Sequence, residues 1–109
     1  MPKTVAALLS KFKYKEIQQI FKKARYSYSS QALDIKLSPA TANFGKLLII
    51  IPKKVGNAPE RNLIKRRLKS IFYENQIYNY LYNFLIYCKP SILQLNYKEL
   101  KEIMLNSIS

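Results

Sequence analysis

The chain has 109 residues, enough for one domain over residues 1–109 with a modest core, and an apolar content of 49% argues against disorder. Its 19 lysines and arginines stand against 6 acids, and the net charge of +13 indicates a polyanionic partner. With no histidine and a single cysteine, Cys88, an internal disulfide and a metal site of the Cys/His type are excluded by count.

The charge is unevenly distributed along the chain. Residues 1–69 carry 16 basic and 3 acidic residues, whereas residues 70–109 carry 3 of each. We therefore expect the basic part to face the partner and the neutral part mainly to complete the core.

The N-terminal part of the chain predicts a helix and a strand. Residues 1–10 leave two readings open, a flexible arm or a first helical turn, and their apolar run is too short to span a bilayer. Apolar residues recur with helical spacing between Lys13 and Lys23, which predicts a first helix. Residues 31–37 alternate as in a half-buried strand, and residues 38–45 predict a hairpin-like loop.

The remaining elements follow the same periodicities. Residues 46–52 form a continuous apolar run, which predicts a central strand buried on both faces. A helix is expected to begin at Pro59 and to end at about residue 73 or 75. Residues 84–88 predict a last strand, and residues 97–105 predict a closing amphipathic helix. These elements give an α+β domain with the order αββαβα.

The most informative segment runs from Lys53 to Lys69, KKVGNAPERNLIKRRLK, and holds seven basic residues against the single acid Glu60. On a helix its apolar side chains fall on one side, and a second side carries Asn62, Lys65, Arg66 and Lys69. With the apolar side buried, such a helix holds a rigid basic surface toward solvent. That surface suits a polyanion of fixed shape.

The same segment resembles the signature of the protein subunit of bacterial ribonuclease P. In that family a strand, a Lys-Lys-x-Gly turn and a helix that opens with Arg-Asn-Arg follow one another, and the resemblance extends in order along nearly the whole chain. Leu63 stands in place of the third residue of Arg-Asn-Arg, so one RNA-contacting cation is missing. The resemblance implies an α/β two-layer sandwich with a small mixed sheet and an unusual left-handed β-α-β crossover.

The implied function is endonucleolytic maturation of the 5′ end of tRNA. The resemblance implies an accessory subunit of an endoribonuclease, in which a large catalytic RNA with bound Mg²⁺ carries the chemistry. The implied partners are that RNA and precursor tRNA, with no membrane and no stable protein partner. The chain offers no histidine base and no clustered carboxylates, so we expect no catalytic residue, no metal ligand and no activity of the protein alone. We expect a cytoplasmic protein.

Matching positions assign the RNA contacts. The residues implied to bind the catalytic RNA are Lys53, Lys54, Arg61, Asn62, Lys65 and Arg66, with Arg67 and Lys69 as plausible additions.

A second site is implied between the first helix and the sheet. In the family this cleft is lined by aromatic side chains and holds the single-stranded 5′ leader of precursor tRNA. Ile17, Phe21 and Ile35 fall at cleft positions, but Phe21 alone is aromatic, so two readings of it stay open: a stacking surface or plain core. Tyr26 and Tyr28 are candidate replacement surfaces, whereas the tyrosines between residues 78 and 87 are expected to serve packing.

Three other classes compete with this interpretation. A general RNA-binding or ribosome-associated protein without a processing role is the main alternative, and the Arg-Asn signature argues against it. A peripheral membrane protein would need a broad exposed apolar face, which the core requires here. A stand-alone nuclease lacks acids and histidine.

Overall fold

The computed structural model of the protein describes residues 14–41 and 43–108. Within these residues the helices and strands, in chain order, are α1 (Tyr14–Lys23), β1 (Arg25–Ser29), β2 (Leu33–Pro39), β3 (Leu47–Ile50), α2 (Ala58–Glu74), β4 (Tyr82–Cys88) and α3 (Tyr97–Asn106). Short 3-10 segments at Lys53–Val55, Ile77–Tyr80 and Pro90–Gln94 lie in the connections. The α+β class is confirmed, and the arm predicted for residues 1–10 lies outside the described residues.

The strands form one mixed sheet in the order β1-β2-β4-β3. β1 and β2 form an antiparallel hairpin, β2 is also antiparallel to β4, and β4 is parallel to β3. Because β3 and β4 are parallel neighbours, their connection must cross over the sheet, and α2 forms that crossover. The left-handed sense of the crossover stays a prediction.

One strand, β1, was not predicted from the sequence, and the described elements follow the order αβββαβα. Four of the five β1 residues are exposed, so the strand lacks the alternation of buried and exposed side chains that sequence analysis detects. A register shift between Tyr26 and Tyr28 sets Tyr26 opposite Lys36 and Tyr28 opposite Ile35. Consecutive β2 residues face opposite sides of the sheet, so this bulge sends the two tyrosines to opposite faces.

Two predictions about the middle of the chain were wrong. The strand expected at residues 46–52 is the shorter β3, which lies at an edge of the sheet rather than at its centre. It is apolar throughout because Leu47 and Ile49 pack on the core side while Ile50 lines a cleft on the other side. The loop at residues 38–45 is not a hairpin turn, because β4 lies between β2 and β3.

One face of the sheet carries the hydrophobic core. Ile35, Phe84 and Ile86 are fully buried there, and α2 and α3 pack over them. The ring of Phe72 on α2 meets that of Phe84 edge-on, with 5.5 Å between the ring centroids. Each such side chain stabilises the fold by about 1.5–3 kcal/mol through its burial. This face and its two helices form the predicted two-layer sandwich.

The opposite face of the sheet lies beside α1. Ile20 of α1 is buried, and its neighbour Phe21 lines a cleft together with Lys36, Leu85 and Tyr87. These strand residues alternate with those of the core face, so they point to the other side of the sheet. The sheet therefore has a packed face under α2 and α3 and a partly open face beside α1.

Gly45 provides a test of how closely the loop before β3 approaches β4. A Cβ atom at this position would lie 2.1 Å from the carbonyl oxygen of Tyr82, and the Gly45 N–H donates to the Tyr78 carbonyl at 2.7 Å. We expect Gly45→Ala to lower the free energy of unfolding by about 3 kcal/mol, because the clash is with backbone rather than with a flexible side chain. Urea unfolding followed by circular dichroism measures this loss.

Gly56→Ala is the matched control. Its Cβ atom would meet the side chain of Glu60 at 2.8 Å, and the φ of 169° is an extended conformation that alanine adopts freely. We expect a loss of about 1 kcal/mol, from disturbing the helix cap that Glu60 forms. Equal losses in the two variants would contradict the close approach of Gly45 to β4.

Candidate nucleic-acid interface

The basic helix α2 is held in place at its start and along its buried side. The Glu60 N–H donates to Asn57 Oδ1 at 2.9 Å, and the Asn57 N–H donates to Glu60 Oε1 at 3.0 Å, so a reciprocal cap begins the helix. Ile64, Leu68 and Ile71 are fully buried in the core. The side of the helix that faces solvent is therefore determined by the packing of the other side.

The exposed side of α2 and the turn before the helix carry six of the eight predicted RNA contacts. Asn62, Lys65, Arg66 and Lys69 are all exposed, as are Lys53 and Lys54 in the 3-10 turn after β3. Arg61 is half-buried, and its Nε donates to the Gly56 carbonyl at 3.2 Å, which holds its guanidinium next to that turn. The structure thus places the two lysines near the start of α2 and extends the cationic surface along the helix.

Arg67 lies apart from this surface. It is half-buried, and its Nη1 donates to the carbonyl of Leu95 at 3.4 Å, in the segment that leads into α3. Leu63, at the position where the family signature has arginine, is 39% exposed on the outer side of α2. Arg66, one turn further along the helix, is exposed; whether it replaces the missing cation stays a prediction.

The cleft between α1 and the open face of the sheet has a volume of about 270 Å³. Its lining residues are Phe21, Tyr26, Asp34, Lys36, Ile50, Leu85 and Tyr87. Phe21 is 57% exposed and Tyr26 is 65% exposed, so both rings are accessible. The described lining of the cleft thus combines three aromatic rings with an aliphatic floor and the cation of Lys36.

The structure distinguishes between the cleft residues that the sequence analysis proposed. Phe21 lines the cleft and is exposed, so the reading of Phe21 as core was wrong. Ile17 is half-buried on α1 and does not line the cleft. Ile35 was wrongly assigned to the cleft: it is fully buried in the core, because strand alternation turns it toward Ile86 and turns its neighbour Lys36 toward the cleft.

Two tyrosines, Tyr28 and Tyr87, lie on faces of the sheet other than those predicted for them. Tyr26 supplies the cleft with a ring, as proposed, but Tyr28 packs against the core on the other face. Tyr87 had been expected to serve packing, yet it is exposed and lines the cleft. The signal that was missed is the alternation of Leu85 and Tyr87 with the core residues of β4, which the neutral charge of this half of the chain obscured.

The charged groups in the cleft are arranged around Tyr26 and Asp34. Lys36 Nζ lies 4.4 Å from the centroid of the Tyr26 ring, a cation–π contact. Asp34 Oδ1 accepts from Lys89 Nζ at 3.0 Å and from Ser29 Oγ at 2.6 Å. Burial raises the pKa of Asp34, but the hydrogen bonds from Ser29 and Lys89 and the nearby positive charges outweigh it and lower the pKa overall. Asp34 is therefore an ionised, paired carboxylate.

The remaining chemistry of the described residues is sparse. Burial raises the pKa of the Cys88 thiol to about 12, so it is an inert core thiol as predicted. In residues 14–41 and 43–108, no three His, Cys, Asp or Glu side chains gather in a way that would hold a metal ion. In the same residues, no helix has the length and apolar character needed to cross a membrane.

A cationic helix on one side of a mixed sheet and an aromatic cleft on the other define a nucleic-acid-binding protein of the α+β class. The sequence model of the ribonuclease P family matches residues 9–108. The ribonuclease P protein component of Phytoplasma australiense is 32% identical over 91 residues, which cover 82% of this chain and 78% of that protein. That of Mycoplasmopsis synoviae is 35% identical over 52 residues, covering 48% of this chain and 46% of that protein.

Solved structures share the fold. The RNase P protein of Staphylococcus aureus superposes with a TM-score of 0.75 at 17% identity, covering 92% of both chains. That of Thermotoga maritima gives a TM-score of 0.73 at 17% identity, covering 91% of this chain and 94% of the other. The chain belongs to the ribonuclease P protein family. It is a protein subunit of that endoribonuclease, with a role in 5′ processing of tRNA and an RNA partner.

Proposed function

We propose that this chain binds two RNAs in ribonuclease P. The exposed side of α2 binds the catalytic RNA, and the α1 cleft binds the 5′ leader of precursor tRNA. The observation that carries the proposal is the position of the two surfaces. The cationic helix packs on one face of the sheet, and the aromatic cleft opens on the other. One small domain can therefore contact two RNA segments at once.

The cations of α2 suit a structured RNA. Lys65, Arg66 and Lys69 are held on a helix whose other side is buried, so their spacing is preset before binding. Such cations neutralise phosphates and release condensed counterions, which makes binding favourable and strongly dependent on salt. Arg66 can also bind a phosphate through two parallel hydrogen bonds, which a lysine cannot.

The cleft suits a single strand. Unpaired bases expose their faces, and Phe21, Tyr26 and Tyr87 offer rings on which bases of any sequence can stack. Lys36 offers a cation within the same cleft. The negative charge of Asp34 is offset by Lys89, whose Nζ lies 3.0 Å from the carboxylate, so Asp34 is not an unpaired anion facing the leader phosphates.

The catalytic groups would come from the RNA partner. The described residues do not fit a metal site of the protein's own, because their few acids do not gather. Mg²⁺ bound by the catalytic RNA would supply the charge stabilisation for phosphodiester cleavage. The protein would contribute binding of the leader and cations that offset phosphate repulsion, in the cytoplasm where precursor tRNA is processed.

The helix surface can be tested with a pair of exposed lysines. The double variant Lys65→Ala with Lys69→Ala should bind the catalytic RNA more weakly and with a flatter salt dependence, while folding normally. Each lost phosphate contact should reduce the slope of log K against log salt by roughly 0.7–0.9. Filter binding at several KCl concentrations measures both quantities.

The control for that experiment removes the same charge elsewhere. Lys98→Ala with Lys101→Ala takes two lysines from α3, a different helix from the one proposed to bind the catalytic RNA. This control should keep the parental slope and affinity. If the two double variants behave alike, net charge rather than the α2 surface determines binding, and the assignment of α2 is wrong.

The cleft can be tested by removing one ring. In the assembled enzyme, Phe21→Ala should weaken binding of precursor tRNA by about 1–3 kcal/mol, the value of a lost base stack, and leave mature tRNA binding unchanged. Because Phe21 is 57% exposed, thermal unfolding of the free protein should change little.

Tyr80→Ala is the matched control, since Tyr80 is 53% exposed and does not line the cleft. It should leave the difference between precursor and mature tRNA intact. If Phe21→Ala folds normally and keeps the parental difference in affinity between precursor and mature tRNA, the ring of Phe21 does not contribute to leader binding.

A further inference from the structure

A second groove adjoins the cleft at the corner of the sheet where β1 begins and β2 ends. This open groove has a volume of about 700 Å³. Tyr26 lines both the groove and the cleft, so a strand that leaves the cleft past Tyr26 enters the groove directly.

Among the described residues, the walls of the groove carry three cations, two tyrosines and no acid. Lys22 and Lys23 come from the last turn of α1, and Arg25 comes from the start of β1; all three are exposed. Tyr82 at the start of β4 is 43% exposed on the wall away from α1. Cations beside accessible aromatic rings bind single-stranded nucleic acid, because phosphates pair with the cations while bases stack on the rings.

Ser38 lines the base of the groove and is only 3% exposed, so it belongs to the packed floor beneath the exposed cations and rings.

We propose that this groove, formed by Lys22, Lys23, Arg25 and Tyr82, binds the leader nucleotides that extend beyond the cleft. The inference rests on the proposed function, since the strand reaches the groove from the cleft. The binding track for the leader is then longer than the cleft, and long leaders gain contacts that short leaders cannot reach.

The test uses the enzyme reconstituted with its catalytic RNA and a series of precursor tRNAs. Leaders of about 2 to about 16 nucleotides cover the usual range of single-strand binding sites. With the parental protein, affinity should rise in two stages as the leader lengthens, the first from the cleft and the second from the groove. In Lys23→Ala with Tyr82→Ala, the second stage should be lost, a decrease of roughly tenfold for the longest leaders.

The matched control, Lys98→Ala with Tyr80→Ala, removes the same two residue types from exposed positions outside the groove. It should keep both stages. Arg25→Ala, on a different element, gives a second readout of the same loss if the double variant proves unstable to thermal unfolding.

The possible outcomes separate the groove from the cleft. A single stage with the parental protein, or a groove variant that matches its control, would overturn the groove while leaving the cleft intact. An equal loss for every leader length and for mature tRNA would also overturn it, because the groove would then contact the catalytic RNA or the tRNA body. No leader dependence at all in the parental enzyme would count against the proposed function itself.

Discussion

The alternation of side chains along β4 is the constraint on which both proposed RNA-binding surfaces depend. β4 pairs with β2 on one side and with β3 on the other, so its register is held from both edges. Phe84 and Ile86 consequently point to the core under α2, and Leu85 and Tyr87 point to the cleft beside α1. A shift of one residue would exchange the two faces, expose the core rings and bury the tyrosine. The same hydrophobic contacts that orient the basic helix therefore also build the cleft.

The two surfaces differ in chemistry because the RNA segments proposed for them differ. A folded RNA presents phosphates at set distances, which a capped and packed helix can match with cations. A single strand presents base faces and a flexible backbone, which rings and a few cations can hold without reading its sequence. Opposite placement on one sheet lets each surface be occupied without blocking the other.

The sequence predicted the helices better than the sheet, for physical reasons. α2 and α3 each begin with an asparagine cap and a glutamate three residues later, and their buried residues follow a helical period, so local signals agree with the fold. β1 has no such period, because it is an edge strand and four of its five residues are exposed. The position of β3 depends on where β4 inserts, which is a contact between distant parts of the chain.

The prediction of cleft residues was wrong on the strands, where a shift of one residue moves a side chain to the other face of the sheet. Ile35 and Lys36 are neighbours, yet one is core and the other lines the cleft. The resemblance to the ribonuclease P family assigned Ile35 to the cleft and did not assign Lys36 or Tyr87 to it. The exposed cations of α2 were easier to predict, since the apolar side of a helix identifies its outer side without reference to the rest of the fold.

Site-specific crosslinking tests the two-sided arrangement most directly. A benzophenone side chain would replace Tyr87 in one protein and Arg66 in another, and each would be assembled with catalytic RNA and precursor tRNA before irradiation. We expect the position of Tyr87 to crosslink to the 5′ leader and the position of Arg66 to crosslink to the catalytic RNA. Crosslinks from the position of Tyr87 to the catalytic RNA without the leader, or from Arg66 to the leader, would contradict the two-sided arrangement.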